Sequence, residues 1–474
     1  MGNGSKKKRR DARQKTIVLG LILLALFYGW WHSHAARKSH EPVQWAPLVL
    51  TPQDRILILA PHPDDEVLGC AGIVQRAKQM NLPIRVVFLT YGDSNQWSFL
   101  LYRRHPVWSP KAVKRMGLIR HSESEAAAHR LGLSPENLVF LGYPDLGMMT
   151  IWNAHWAGRP PYRSLLTKVT TVPYENALRP GALYRGEEVL RDLESVLRAF
   201  RPTKIFVSHP ADYHPDHRAL YLFTQIALWD LQKEMRPAVY PYLIHFKRWP
   251  NPKRYRPDQF LSPPVPFISH VSWYSSLLSP EEIKQKRLAL EEHKTQVASA
   301  EESLLAFVRP NELFGDFPVL TLTSPSSVLL SPDHAKEEPR TPEELTDAEQ
   351  AAFVGLEERA IQLEKDELVL TITFSRPLAE AVEASIFFFG YRQDRPFSEM
   401  PKLHIRVGAI THDIYDQDKK LSQNALYVNR QLNKLVIHVP LDTLGNPQKV
   451  LTSAQTYLGE VPLDWASWRV LELI

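Results

Sequence analysis

The sequence contains almost no cysteine. Its 474 residues include one, Cys70, so intramolecular disulfides and cysteine-based structural zinc sites are excluded. Any metal site must therefore use histidine and carboxylate ligands. The sequence also lacks an internal repeat of fixed period, and much of its net charge of +5 comes from a basic tail at residues 1–15. Because the rest of the chain is close to neutral, charge gives no reason to expect nucleic-acid binding.

The N-terminal apolar run is also short for a membrane span. It covers residues 16–31, whereas a bilayer core needs about 20 residues. Its basic flank and the Trp30-Trp31 pair nevertheless favour an uncleaved transmembrane signal anchor, with the tail cytoplasmic and the rest of the chain extracytoplasmic. The alternative is a signal peptide, cleaved near residues 33–35, that yields a secreted protein. Residues 32–50 have the polar, proline-containing character of a tether.

Strand and helix patterns alternate after this tether. Short apolar runs typical of strands buried on both faces occur at residues 55–60, 84–90, 138–141 and 204–208. Helical patterns occur at residues 66–80, 120–131, 187–200 and 280–296. This alternation predicts an α/β domain with a Rossmann-like, doubly wound, mostly parallel sheet, which we assign to residues 51–320. Ligands of such sheets bind beyond the carboxyl ends of the strands.

Two long insertions interrupt the alternation. Residues 93–117 and 151–186 are rich in Trp, Tyr, Arg and Pro. Long loops in a compact domain are usually functional or disordered. Their aromatic content favours the walls of a substrate groove over simple surface packing.

The composition changes again near the C-terminus. Residues 321–352 are rich in Ser, Pro and charge and are assigned to a linker. Residues 353–474 contain short alternating strands and predict a β-sandwich, which either binds carbohydrate or docks on the first domain. For Trp465 and Trp468, core packing is favoured over a role as sugar-stacking platforms.

Histidine and aspartate cluster directly after the first and fourth predicted strands. The clusters are Pro61–Glu66 and His209–His217. Imidazole and carboxylate suit Zn²⁺, which in catalytic sites takes three protein ligands and a water. A single turn of this kind is usually only a turn, and carboxylates at residues 64–66 would also suit a helix N-terminus. Two such clusters at one sheet edge favour a metal site, although the residues alone do not separate the metal-binding carboxylate from a catalytic base.

The two motifs, Pro-His-Pro-Asp-Asp-Glu at 61–66 and His-Pro-Asp-His at 214–217, resemble the LmbE/PIG-L family of zinc-dependent N-acetylglucosaminyl deacetylases. Arg120-x-x-Glu123 and the segment 140–145 resemble further family motifs, and the resemblance spans about residues 53–300. Pro61 departs from the family's frequent alanine. The two long insertions are unusual for the family and would reshape the rim of the pocket.

The resemblance implies a role for each matching residue. It implies His62, Asp65 and His217 as zinc ligands and Asp64 as the general base. It also implies that His214, oriented by Asp216, stabilises the oxyanion and protonates the departing amine. Arg120 and Asp145 match positions expected to hold sugar hydroxyls.

The expected activity is zinc-dependent hydrolysis of the N-acetyl amide of an N-acetylglucosamine-type sugar, releasing acetate. The expected substrate is an N-acetylated sugar or polysaccharide, or another glycoconjugate, and the expected location is the cell membrane. The alternatives are an amidase of another N-acyl substrate and a non-catalytic glycan-binding protein. Cys70 is expected in the core, and His245 is a weaker candidate for a place near the site.

Overall fold

The computed structural model describes residues 45–94, 109–330, 345–379 and 381–474. The expected basic tail and signal anchor, together with most of the tether, lie outside these residues. Within the described ranges, no helix combines the length and apolar character that a membrane span requires. Residues 46–474 form one compact unit.

The N-terminal part of this unit alternates strands with helices. In chain order the elements are β1 (Ala46–Pro47), β2 (Ile56–Ala60), α1 (Asp65–Gln79), β3 (Ile84–Thr90), α2 (Pro110–Arg130), β4 (Leu138–Tyr143), α3 (Met148–Ala154), α4 (Gly186–Phe200), β5 (Lys204–Ser208), α5 (Pro215–Asp230), β6 (Ala238–Tyr242), β7 (Ser272–Leu277), α6 (Pro280–Glu291), α7 (Lys294–Leu305) and β8 (Asn311–Asp316). Single 3₁₀ turns occur at Pro135–Asn137 and Val265–Phe267.

Five of these strands form a parallel sheet in the order β4-β3-β2-β5-β6. All five residues of β2 are buried, as expected of a central strand covered on both faces. The strand order reverses between β2 and β5, and the crevice at such a reversal is where α/β sheets bind ligands. The predicted α/β fold class is confirmed. Strands β1, β7 and β8 form a separate small sheet.

Helix α2 begins ten residues before the predicted start at Arg120. Ser109 provides the reason, because its side chain accepts a hydrogen bond from the Ala112 amide and Pro110 occupies the first helical turn. This Ser-Pro signal lies within the insertion that we expected to be a loop. The part of that insertion at residues 95–108 lies outside the described residues.

The predicted helix at residues 280–296 is two helices, α6 and α7. The chain turns inward between them at His293, which is fully buried. There His293 contacts Glu66, and Thr295 donates two hydrogen bonds to the Glu123 carboxylate. These buried polar contacts outweigh the continuation of a single helix.

The C-terminal part consists mainly of antiparallel strands. This confirms the predicted β-structure of the C-terminal region. Its elements are β9 (Leu320–Leu322), β10 (Ser326–Leu330), α8 (Asp347–Ala352), β11 (Leu356–Glu364), β12 (Glu367–Phe374), β13 (Val382–Tyr391), β14 (Lys402–Val407), β15 (His412–Asp416), β16 (Lys419–Lys420), β17 (Tyr427–Gln431), β18 (Lys434–Pro440), β19 (Lys449–Leu458) and β20 (Val461–Leu473). The two sheets have the orders β10-β11-β12-β18-β17 and β16-β15-β14-β13-β19-β20-β9. Their inward side chains share one apolar core, and residues of β12 alternate between buried and half-buried positions.

The segment 321–352, which we expected to be a linker, contributes to both sheets. Strand β10 pairs with β11, and β9 pairs with β20 in parallel. Leu322 and Leu330 are buried in the sandwich core. The serine and proline residues around these strands resemble a linker in composition, but alternate apolar side chains still face the core.

Aromatic side chains fill the interface between the two domains. Trp152 on α3 packs against Phe389 and Phe397 of the C-terminal domain at ring-centroid distances of 5.6 and 5.4 Å. Trp156 contacts Phe397 at 5.0 Å, and Trp468 contacts Trp152 at 6.1 Å. We call Trp152, Trp156, Phe389, Phe397 and Trp468 the aromatic interface cluster; all five are buried. Trp152 and Trp156 belong to the insertion at residues 151–186, whose aromatic residues we expected to line a substrate groove. These two side chains are instead packed between the domains.

Candidate metal centre and active site

The two histidine–aspartate turns meet at the carboxyl edge of the parallel sheet. The first follows β2 and the second follows β5, and these adjacent strands run parallel. Helix α1 begins at Asp65 and α5 begins at Pro215, so each turn leads directly into a helix. Residues about 150 positions apart are therefore brought to the crevice where the strand order reverses.

Three ligand atoms form a nearly equilateral triangle in this crevice. The His62 Nδ1–Asp65 Oδ2 distance is 3.3 Å, and His217 Nε2 lies 3.2 Å from each of these atoms. Ligands bonded tetrahedrally to Zn²⁺ at about 2.0–2.2 Å lie roughly 3.3–3.6 Å apart. All three residues are buried. The three sequence-predicted ligands thus lie together with spacing that fits one metal ion.

Carboxylates on the far side of both imidazoles fix their tautomers. His217 Nδ1 lies 3.1 Å from Asp212 Oδ2, and His62 Nε2 lies 3.2 Å from Asp145 Oδ1 and 3.3 Å from Asp216 Oδ2. An ionised carboxylate only accepts, so these ring nitrogens carry the protons. The lone pairs of His62 Nδ1 and His217 Nε2 then face the triangle, as metal-ligating histidines require.

The electrostatics of the crevice favour a positive charge. Burial opposes protonation of His217, but Asp212 and Asp65 outweigh it and raise the pKa of His217 to about 9. Burial likewise opposes protonation of His62, and Asp145 holds its pKa well above the ordinary value. Burial also opposes ionisation of Asp65, yet His217 and His62 hold its pKa well below the usual range. The raised pKa values of His62 and His217 and the lowered pKa of Asp65 show that the surrounding carboxylates favour positive charge here, as expected of a cation site.

Asp64 occupies a strained turn beside the triangle. Its φ of 115° lies outside the region that most L-residues adopt. Its amide donates to Glu66 Oε2 at 2.9 Å, and Glu66 Oε1 lies 3.1 Å from His293 Nε2. Burial raises the pKa of Asp64 to about 6, although Arg120 opposes the shift. A carboxylate with a pKa close to neutrality is suited to general-base chemistry.

Arg120 supports this turn from within the protein. Its guanidinium donates to the Gly92 carbonyl at 2.6 Å and to the Pro63 carbonyl, and it lies 3.6 Å from Asp64 Oδ2. The residue is buried. This placement favours positioning of Asp64 over the expected contact with sugar hydroxyls, because two of its terminal N–H groups already serve backbone acceptors.

Asp145 and Asp216 orient His62. In addition to its contact with His62, Asp145 accepts a hydrogen bond from the Ser94 amide at 2.7 Å. Asp216 accepts bonds from the Leu146 and Met148 amides at 2.6 and 3.0 Å. Both carboxylates therefore contact His62, one of the candidate metal ligands. The expected contact of Asp145 with a sugar hydroxyl stays a prediction, and the expected orientation of His214 by Asp216 comes from the Asp216 backbone amide and not from its carboxylate.

The backbone of Asp216 holds His214. Its amide donates to His214 Nδ1 at 3.3 Å, which places the imidazole proton on Nε2. Burial, with His62, His217 and His245 nearby, keeps the pKa of His214 well below its ordinary value. The ring lies 4.5 Å from that of His62. His214 is therefore a neutral hydrogen-bond donor beside the triangle, and its potential ligand atoms also lie within 4.8 Å of those of His62 and His217.

Sequence reasoning missed the buried polar groups behind this site. Asp212 joins His217 to His245, and Glu66 joins Asp64 to His293. Asp212 lies within the second histidine–aspartate cluster, His209–His217, so its position there was a usable signal. His293 carried no comparable signal, since it lies in a charged helical segment far along the chain.

Comparison with known proteins adds a family match. Residues 57–228 match the PIG-L family, described as GlcNAc-PI de-N-acetylase. A probable N-acetyl-α-D-glucosaminyl L-malate deacetylase 2 from Bacillus anthracis is 26% identical over 188 residues, covering 39% of this chain and 64% of the relative. The chain thus spans somewhat less than two thirds of that relative's length.

Two solved structures show weaker likeness. A conserved protein from Thermus thermophilus is 23% identical, with a TM-score of 0.32 and coverage of 54% of this chain and 84% of the other. The N,N′-diacetylchitobiose deacetylase from Pyrococcus horikoshii is 19% identical, with a TM-score of 0.31 and coverage of 51% and 70%.

Proposed function

We propose that the protein is a zinc-dependent deacetylase of N-acetylglucosamine-type sugars. The match of residues 57–228 to the PIG-L family supports this proposal and confirms the resemblance that the motifs indicate. The observation that carries this proposal is the triangle of His62, Asp65 and His217 with Asp64 beside it. A metal site with an adjacent base of near-neutral pKa is what hydrolysis of an unactivated amide requires.

His62, Asp65 and His217 would hold the metal. When bound, Zn²⁺ supplies Lewis-acid activation of the amide carbonyl and of a water molecule. The carboxylates of Asp212, Asp145 and Asp216 keep both imidazoles in the ligating tautomer.

The residues around the metal site account for the proton transfers. Asp64 accepts a proton as the oxygen of water forms a bond to the acetyl carbon. His214 Nε2–H donates a hydrogen bond to the carbonyl oxygen as negative charge develops there. The carbon–nitrogen bond then breaks, and the proton held by Asp64 passes to the departing amine. Asp64 takes this role in place of His214, to which the resemblance assigned it, because the low pKa of His214 leaves its ring neutral. The products are acetate and the free amino sugar.

Acetate release from N-acetylglucosamine oligomers tests this function. The full chain with one equivalent of Zn²⁺ should release acetate, dialysis against a chelator should abolish release, and added Zn²⁺ should restore it. Oligomer binding without acetate release would contradict the proposal and indicate a glycan-binding protein. Release of other acyl groups, with N-acetyl sugars untouched, would indicate an amidase of another class.

The membrane anchor and the extracytoplasmic location remain predictions from residues 16–31 and the basic tail. Carbohydrate binding by residues 353–474 also remains a prediction. The buried position of Trp468 leaves that residue unavailable to a sugar.

A further inference from the structure

His245 lies at the exposed side of the site, three residues after the end of β6, and takes no part in the proton transfers proposed for Asp64 and His214. Its ring centroid lies 4.6 Å from that of His217 and 5.3 Å from that of His214. Its side chain is 46% exposed, whereas those of His62 and His217 are 8% and 0% exposed. Unlike His62 and His217, His245 is therefore accessible to a substrate that enters from solvent.

Asp212 fixes the orientation of this ring. Its Oδ1 lies 3.1 Å from His245 Nδ1, and its Oδ2 accepts bonds from the Ile244 and His245 amides at 3.0 Å. Asp212 is fully buried, and its Oδ2 serves the two backbone amides as an acceptor, as an ionised carboxylate does. Because an ionised carboxylate accepts only, His245 Nδ1 carries the proton. In this tautomer, Nε2 presents the lone pair.

We infer that His245 is a substrate-contacting residue, whose Nε2 accepts a hydrogen bond from a hydroxyl group of the sugar. The inference rests on the proposed function. The buried Asp212 carboxylate thereby fixes the tautomer of two imidazoles. His217 Nε2 remains available to the metal, and His245 Nε2 remains available to the substrate. This contact would help select a hydroxylated substrate over another N-acyl amine, because a site built to pair a hydroxyl discriminates against analogues that lack it.

Two substitutions separate the substrate contact from the contact with Asp212. In His245→Asn, the side-chain amide can still donate to Asp212, but nothing occupies the Nε2 position. In His245→Gln, the amide can reach the Nε2 position. We expect kcat/KM for the methyl glycoside of N-acetylglucosamine to fall about tenfold in His245→Asn, mostly through KM, and to be largely retained in His245→Gln. His270→Ala, at an exposed histidine, is the matched control and should leave KM unchanged.

Monodeoxy analogues of the same glycoside identify the partner. One analogue should lose about tenfold in kcat/KM with the wild-type protein, and that loss should disappear in His245→Asn. An equal loss in both proteins, or an unchanged KM in His245→Asn, would overturn the inference. So would a lower zinc content of His245→Asn by metal analysis, since it would make His245 a metal ligand.

Binding measurements keep this inference distinct from the proposed activity. Calorimetry in an Asp64→Asn background gives the Kd of the glycoside without turnover. If the wild-type protein releases no acetate but His245→Asn still weakens binding about tenfold, the activity fails and the contact stands. If His245→Asn leaves that Kd unchanged, the contact fails whatever the activity.

Discussion

The carboxyl edge of the parallel sheet and the interface between the two domains both bury large side chains, but with opposite chemistry. At the sheet edge, His62, His217 and five aspartates share a buried crevice, so each ionised group depends on a neighbour. In the aromatic interface cluster, rings pack against rings. Burying charge costs stability unless it is paired, whereas burying aromatic area contributes stability. The sheet edge is thus organised for chemistry, and the aromatic interface cluster holds the two domains together.

The largest expected effect distinguishes two buried aspartates that lie beyond opposite ends of strand β2. Asp64 follows the carboxyl end of β2, and Asp54 precedes its amino end, where it binds Thr51 and Thr203. Asp64→Asn should lower kcat by about 10²–10⁴-fold, because it removes the proposed base, while zinc content stays unchanged. Acetate release and metal analysis measure the two quantities.

Asp54→Asn is the matched control. It removes a buried carboxylate of similar exposure at the opposite edge, so it should lower the free energy of unfolding and leave kcat within about twofold. Equal losses of kcat in both variants would mean that the sheet edge has no special role, and full activity of Asp64→Asn would remove Asp64 from the mechanism.

The next effect concerns the interface. Trp152→Ala should lower the free energy of unfolding by about 3–5 kcal/mol, because a fully buried indole leaves a cavity among packed rings. The folded variant should keep its kcat, since the ring lies outside the metal site. Urea unfolding followed by fluorescence measures the change.

Trp229→Ala provides the comparison for Trp152→Ala. Trp229 is half-buried and contacts Tyr391 at 4.9 Å, so its removal should cost less stability. If Trp152→Ala were no more destabilising than Trp229→Ala, or if it abolished activity in the folded state, the assignment of the aromatic interface cluster to docking would be wrong.

The same contrast explains what the sequence could predict. The continuous apolar runs at β2, β3 and β5 predict a parallel sheet, because local burial on both faces leaves a local pattern. Two motifs beside those strands predict where His62, Asp65 and His217 meet. The family resemblance separates Asp64 from Asp65, which spacing alone did not.

Local sequence patterns could not predict contacts between residues that are distant in the sequence. Arg120 binds the carbonyls of Gly92 and Pro63, and Asp145 binds His62, where the resemblance implied sugar contacts. Trp152 resembled a groove residue because nothing local shows that Phe389 and Phe397 cover it. Such contacts arise from the docking of separate elements, and no periodicity within one segment records them.

Lys402 is an ionisable side chain buried in the aromatic interface, so it combines features of both regions. Its substitution gives the smallest expected effect. It is a fully buried lysine in the aromatic interface, with Nζ 4.6 Å from the Trp156 ring and bonded to the Phe397 and Met400 carbonyls at 2.6 and 3.0 Å. Burial lowers the pKa of Lys402 to about 7, while Asp416 opposes the shift. The unfolded chain has the ordinary lysine pKa of about 10.4.

Between about pH 7 and 10, the unfolded chain therefore binds a proton that the folded protein lacks. The free energy of unfolding contributed by Lys402 rises with pH across this window and is lowest near and below pH 7, because stability rises wherever the unfolded state binds more protons. Lys402→Met removes this dependence. The stability of Lys402→Met relative to wild type should thus fall by up to roughly 1.4 kcal/mol per pH unit between pH 7 and 9, as urea unfolding at pH 7, 8 and 9 would show. A constant difference across these pH values would mean that Lys402 stays charged when folded, and that the interface tolerates a buried cation through its carbonyl and ring contacts.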